Sequence, residues 1–497
     1  VKDTVMLIAF YNQKALGVRY LAEALKKNGY KVVAVFFKDF NSISPSKVSE
    51  KELQLLVELI NKTEPSFIGL SVMSSLYLES VYLVNDTIKK YFNLPVVWGG
   101  VYATLFPDHA LEYADYVIRG EGEEAIGELF DTLREGEDPS QMANLAYKDS
   151  SGQIVVNDVR PIVDVDELGF PSIGDLDFYS INADKIAVGD PQMGGFTYEL
   201  TASRGCPYKC SYCSSINLRR IYKGKGKYMR FRSVDSVLAE LNQAKKALPN
   251  LKVIHFWDEI FSNEPGWVEE FSQRYAQEIG IPFRVWGHPL MVNHRIISNL
   301  VEAGLYQIVV GIQSGSPRIR KEVFQRNESQ EEIINCSRVL AECKVPKVIY
   351  DFMIHHPFES LEELKETYYL CLELEPPFEL QIHGLHFLPG TDIVQMALDA
   401  GYYTYEEMNA KMYGSLEEQF NSWYWDVSSS DNIDELTCWT SMIFLTQFPA
   451  LRPILKKLES NLQNNRGLKN IYRLHLIMNR MLRLRNLGQK AKLVLKP

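Results

Sequence analysis

Long apolar runs are missing from this chain of 497 residues. None approaches the roughly 18–20 residues that a membrane-spanning helix needs, so no span is predicted. Cysteine is scarce as well: seven in all, three clustered and four scattered, which is not a disulfide framework. The opening VKDTVMLIAFYNQ lacks the charged, apolar and small-residue zones of a secretory signal. Together these absences predict a reducing, cytoplasmic setting. One region also lacks acid: residues 451–497 hold twelve Lys/Arg and one acidic residue, although the whole chain carries a net charge of −10. A basic end of this kind could meet phosphates, a membrane surface or an acidic partner, or lie solvated against an acidic body. No base-reading motif accompanies it, so nucleic acid is not an expected partner.

Alternation of strand and helix signals is present in two blocks. Over residues 1–139, VMLIAFY, KVVAVFF, SFIGLSV, PVVWGG and DYVIR read as buried parallel strands separated by helical segments. That order predicts an α/β, Rossmann-like sheet, whose ligands sit beyond the carboxyl ends of the strands, where Asn12, Ser71, Gly99 and Gly100 fall. Residues 140–195, rich in Pro, Gly and Asp, read as a connector with short local structure. Over 196–400, six candidate strands are each followed by a helical segment, which predicts a (βα)6 partial TIM barrel. Residues 401–497 read as a mainly helical, basic C-terminal region in which Trp423 and Trp425 either cover the active site or pack in a core.

The loop after the first barrel strand, RGCPYKCSYCSS, places Cys206, Cys210 and Cys213 in C-x3-C-x2-C spacing with no fourth ligand nearby. Structural zinc sites are closed by four ligands, usually as two C-x2-C pairs. A [4Fe–4S] cluster tolerates three thiolates, because its fourth iron can accept a small molecule. Cys336, Cys343, Cys371 and Cys438 stand singly and read as packing thiols. The basic stretch RRIYKGKGKYMRFR (219–232) could steer an anion to the barrel mouth or be a solvated loop.

The cysteine loop, with Tyr212 just before its third cysteine, resembles the radical S-adenosylmethionine (SAM) superfamily. The resemblance implies that SAM docks on the fourth iron and is cleaved to a 5′-deoxyadenosyl radical. In HFWDEIF it makes Asp258 or Glu259 the acceptor of the SAM ammonium, although these acids could also cap the next segment. In GIQSGS it makes Gln313 and Ser314 ribose contacts, where the family more often has Glu at the Gln313 position. Arg230 or Arg232 would grip a carboxylate of SAM or substrate. FLPGTD matches a turn common in relatives. His355 and His356 replace the small residues usual at their position and are either substrate contacts, acid–base groups or a structural pair.

The first block, with SVMSSLY, VVWGGVYAT and ADYVIRGEGEEA, resembles the cobalamin (B12)-binding domains fused to such barrels. Ser71, Gly99 and Gly100 would line the slot for the nucleotide tail. In NQKALG, Asn12 to Gly17, Lys14 stands where a cobalt-ligating histidine would be, which implies cobalamin without a histidine below it. The resemblance, to class B-type methylases and the anaerobic porphyrin cyclase group, implies cobalamin-dependent methylation of an unactivated carbon or, less readily, phosphorus. A non-methylating cyclisation or rearrangement is the alternative, and a non-catalytic cobalamin- or SAM-binding protein a third. The implied partners are a small-molecule, lipid or peptide substrate and an electron donor such as flavodoxin or ferredoxin.

Overall fold

In the computed structural model, which describes residues 3–40, 46–423, 434–459 and 465–495, two sheets of different character share one chain. The first has nine strands: β1 (Thr4–Phe10), β2 (Lys31–Phe37), β3 (Phe67–Ser71), β4 (Val96–Gly99), β5 (Tyr116–Ile118), β6 (Leu145–Lys148), β7 (Ile154–Val156), β8 (Phe178–Asn182) and β9 (Lys185–Val188). Their spatial order is β7-β6-β5-β4-β3-β1-β2-β8-β9. From β5 to β8 neighbours run parallel, and the outermost pairs are antiparallel. The apolar runs in β1 and β2 follow from burial on both faces, since helices cover each side. Helices Glu50–Thr63 and Leu78–Tyr91 pack on one face, Leu16–Lys27 and Ala125–Glu135 on the other. Chain order reverses between β1 and β3, the position at which such sheets open a crevice.

The segment read as a connector is more ordered than its composition suggests. It supplies β6 to β9, extending the sheet at both edges. Its strands are only three to five residues long and lie at sheet margins, so periodicity over so few residues carries little signal.

The second sheet is parallel and strictly sequential: β10 (Thr197–Leu200), β13 (Val253–Phe256), β14 (Phe283–Gly287), β15 (Leu305–Gln313), β16 (Lys347–Ile354) and β17 (Glu379–Gly384). Between the first two lie a short antiparallel pair, β11 (Ser203–Arg204) and β12 (Arg230–Phe231). Helices Val234–Ala247, Pro265–Glu278, His294–Ala303, Gln330–Glu342, Leu361–Glu373 and Asp392–Asp399 cover the outside. Because β10 does not pair with β17, the barrel is partial. Ser329 with Glu332 and Ser360 with Glu363 form reciprocal capping boxes that start two of these helices.

The C-terminal region divides its contacts. Helices Glu435–Leu445 and Asn465–Leu495 extend the barrel's outer core through Cys438, Met442, Ile471 and Leu482. Helices Tyr405–Tyr413 and Leu416–Trp423 turn back to the first sheet, where Leu416 is buried and its N–H donates to Glu79 (3.0 Å). The side chains of the Trp423–Trp425 segment lie outside the described residues. Among the described residues no helix is long and apolar enough to cross a membrane.

Candidate active site

The cysteine loop is held from three sides. Gly205 enters it at φ +91°, and a Cβ there would stand 2.7 Å from the Tyr228 carbonyl, so the position accepts only glycine. Ser211, fully buried mid-loop, donates its hydroxyl to the Val323 carbonyl (2.5 Å) and its N–H to that of Phe324 (3.2 Å). Its own carbonyl accepts from Ile393 N–H (3.0 Å), at the start of the last barrel helix. The anchored loop leaves Cys206, Cys210 and Cys213 as free, partly exposed thiols. Burial pushes the Cys206 thiol up to about 12 and the Cys213 thiol up to about 11, so they ionise at neutral pH only against a cation.

Among the described residues no three His, Cys, Asp or Glu side chains converge on a single ion. A [4Fe–4S] cluster takes one thiolate per iron and leaves its fourth iron open, so three thiols without a fourth protein ligand suit it. Arg326 lies behind the loop, with Nη1 4.0 Å from Cys210 Sγ and 3.2 Å from the Tyr212 hydroxyl. Tyr212 therefore packs edge-on against Phe324 with its hydroxyl turned to Arg326.

A cavity of about 420 Å³ runs from this loop to the crevice of the first sheet. Gly17, Ser71, Gly99 and Gly100 line one side, while Ser203, Gly205, Trp257 and Glu259 line the other. The glycines differ in kind. Gly100 has φ +98° and a Cβ there would meet the Val72 carbonyl at 2.7 Å, so the fold itself requires it. At Gly17 nothing lies within 4 Å of an added Cβ, and at Gly99 the nearest atom is 3.8 Å away. The chain has no need of glycine at these two positions. They keep a smooth wall on which a large flat ligand can lie, which is the fit expected for cobalamin.

Other side chains singled out in the sequence have different employment. Asp258 is buried and accepts from Ala202 N–H (3.1 Å) and the Ser203 hydroxyl, pinning the end of β10. Each of its oxygens is thus engaged and it does not line the cavity, whereas Glu259, on the cavity wall and bonded to Ser215 Oγ (2.7 Å), is the exposed acid of the pair. Arg232 is likewise withdrawn: it is buried, ion-paired to Glu240 and bonded to the Thr201 carbonyl. Arg230 reaches the cavity but is held by Glu121 and the Val163 carbonyl. Lys14 does not face the cavity; it extends to the barrel and pairs with Glu199 (3.1 Å). Asn12 caps its own turn, accepting from Lys14 and Ala15 N–H at 2.9 and 3.0 Å.

Ser314 is fully buried, with its Oγ accepting from Ser316 N–H (3.1 Å), while Gln313 sits at φ +72° with Nε2 3.4 Å from Asp351. His355 meets Thr440 Oγ1 (3.0 Å), and His356 lies among Phe324 and Phe358. Burial lowers both imidazoles to about 4.

Sequence reasoning missed the group that joins the two sheets. Arg204 donates to Glu121 (3.1 Å) and Glu123 (2.5 Å), and Arg230 pairs with Glu121 as well. Tyr222 takes the Glu121 N–H on its hydroxyl at 2.7 Å. Burial pushes the Glu121 carboxyl up, but its bonds to Arg230 and Arg204 outweigh that and hold it below its ordinary value. The two acids belong to the GEGEE stretch and Arg204 directly precedes the cysteine loop, yet nothing in one sequence links them.

Known proteins share both halves. Residues 4–130 match the B12 binding domain and residues 200–371 the Radical SAM superfamily. An uncharacterized methyltransferase of Pyrococcus horikoshii is 26% identical over 366 residues, covering 72% of this chain and 73% of its own. The anaerobic magnesium-protoporphyrin IX monomethyl ester cyclase of Cereibacter sphaeroides is 26% identical over 382 residues, covering 72% and 56%. The radical SAM methyltransferase TsrM from Kitasatospora setae superposes with a TM-score of 0.64 at 17% identity, covering 80% and 76%, a likeness of fold. With a loop of three free thiols on a partial barrel and a glycine-walled cavity leading to the first sheet, this chain is a B12-binding radical SAM enzyme.

Proposed function

We propose that the protein is a cobalamin-dependent methyltransferase that methylates an unactivated carbon of its substrate. The observation carrying this reading is the single cavity shared by the glycine wall of the first sheet and the flank of the cysteine loop. When bound there, the cluster supplies the electron that cleaves SAM, and cobalamin supplies a carrier for a methyl group.

In this reading Cys206, Cys210 and Cys213 hold the cluster, and Glu259 accepts from the SAM ammonium. Gln313 Oε1, buried without a partner, accepts a ribose hydroxyl. Gly17, Ser71, Gly99 and Gly100 hold cobalamin, and Trp257 screens the chamber from water. The electron comes from an external donor such as flavodoxin or ferredoxin.

The test uses the reconstituted, reduced protein and SAM labelled on its methyl group. Cobalamin-dependent release of S-adenosylhomocysteine alongside 5′-deoxyadenosine, with label in the product, is expected. Deoxyadenosine without S-adenosylhomocysteine would instead favour cyclisation or rearrangement, the activity named for the cyclase relative. Cys210→Ala is expected to abolish deoxyadenosine formation while cobalamin binding persists.

A surface contact forms a second part of the proposal. Helix Asn465–Leu495 leaves Ile477, Met481, Leu484 and Leu487 exposed on its outer side, among arginines that include Arg480 and Arg483. Such a basic amphipathic stripe suits an anionic lipid surface. Co-sedimentation with anionic but not neutral vesicles, lost in Leu484→Glu, is the expected result.

A further inference from the structure

Alternate residues of the barrel strands face its interior. Phe283 and Val285 of β14 pack outward into the helix layer, which turns Arg284 and Trp286 inward. Pairing register sets Arg284 beside His255 of β13, itself beside Glu199 of β10. The Arg284 guanidinium lies 4.9 Å from the ring centre of Trp257 and 6.0 Å from that of Trp286. The two indoles stand 5.6 Å apart, tilted by 32°. Trp257 continues outward as a wall of the cavity beside Glu259 and is 41% exposed.

This cation forms no ion pair among the described residues, although Tyr306 and Glu199 act on it from farther off. Among the described residues no carboxylate lies within 4.0 Å of Arg284. Glu199, the acid on its side of the barrel, is engaged by Lys14 at 3.1 Å and faces His255 at 3.8 Å. Two buried donors on β14, Arg284 Nε and Trp286 Nε1, also lack any acceptor. Buried charges are ordinarily paired and buried donors ordinarily bonded. Aromatic faces stabilise a guanidinium but leave its in-plane N–H groups unmet. What would complete the group is an acceptor-rich anion entering from the cavity.

We propose that Arg284, with Trp257 and Trp286, forms the substrate-anchoring site, and that the substrate carries an oxoanion, either a carboxylate or a phosphoryl group. The proposal rests on the reading of the cavity as the reaction chamber. Arg284 takes the oxoanion in its fork, Trp286 Nε1–H adds a donor, and Trp257 packs against the adjoining part of the substrate.

The test measures binding to the cluster- and cobalamin-loaded protein by calorimetry, with SAM affinity followed in parallel. The probes are phenylacetate, phenylphosphonate and neutral 2-phenylethanol. Wild-type protein is expected to prefer at least one anion over the alcohol by tenfold or more, and the tighter anion identifies the carboxylate or the phosphoryl class. Arg284→Gln should lower anion affinity at least tenfold while changing alcohol and SAM affinity less than twofold. Trp286→Phe, which removes one N–H and keeps an aromatic ring, should lower anion affinity two- to fivefold; it serves if the arginine variant does not fold.

No preference for an anion in wild type would overturn the proposal. So would unchanged anion binding in the variant that folds. Equal loss of SAM would overturn it too, assigning Arg284 to the SAM carboxylate. Because no turnover is required, failure of methyl transfer is read separately, from S-adenosylhomocysteine.

Discussion

Glycines 17 and 100 line the same cavity for opposite reasons, and single substitutions separate them. The Cβ added by Gly17→Val has no atom outside its own helix turn within 4 Å, so thermal stability should hold while cobalamin affinity falls tenfold or more in an absorbance titration. Gly100→Ala puts a Cβ into the Val72 carbonyl at positive φ, so it should cost about 1–3 kcal/mol by chemical denaturation. His356 supplies the pH prediction. Among the described residues neither ring nitrogen has a hydrogen-bond partner, and burial lowers its pKa from 6.5 to about 4. The unfolded chain therefore binds more protons between these values, so stability rises with pH across about 4 to 6.5 and is lost as pH falls. For this group the loss is on the order of 3 kcal/mol. His356→Phe should flatten that slope in denaturation curves at pH 4.5 and 7.

At the scale of elements, GIQSGS is a packing joint as much as a cofactor contact. A Cβ on Gly315 would lie 2.2 Å from Thr367 Cα, in helix Leu361–Glu373, and the Gly315 N–H donates to Thr367 Oγ1 (2.8 Å). Gly315→Ala must push the end of β15 away from that helix, a backbone shift costing roughly 3 kcal/mol or more. Lost soluble expression or a large fall in Tm is the expected result; unchanged Tm would contradict the contact. Strand and helix limits in the barrel were legible because each apolar strand is buried against a helix layer, giving signals of ordinary length. The marginal strands β6 to β9 were not, being only three to five residues long.

For the whole molecule, the decisive contact is the ion cluster of Arg204 and Arg230 with Glu121 and Glu123. It fixes the cysteine loop's entry strand against the first sheet, along the wall of the cavity. Helix Leu416–Trp423 and the turn at Gly390, which sits against Phe106, add further contacts between the halves. The cluster is part-buried, so removing one partner costs less than the roughly 3–5 kcal/mol typical of a fully buried pair. Arg204→Met should therefore raise amide hydrogen exchange in residues 120–125 and weaken cobalamin retention, while the barrel core stays protected. Exchange like that of the wild type would show that the other contacts suffice.

The sequence by itself determined the two α/β blocks, the barrel order and the three-thiol loop, because these depend on local periodicity and spacing. It could also nominate glycines and acids near strand ends. Only the tertiary structure decided which of them face the cavity. Asp258 and Glu259 are adjacent and chemically alike, yet one turns into the β10 corner and the other onto the cavity wall. Arg232 and Lys14 find Glu240 and Glu199, partners 8 and 185 residues away. Arg284, unremarked in sequence, becomes conspicuous only when its surroundings offer no ion pair among the described residues and leave its Nε without an acceptor. Burial and the identity of non-local neighbours set a charged group's role, and both come into being when the chain packs.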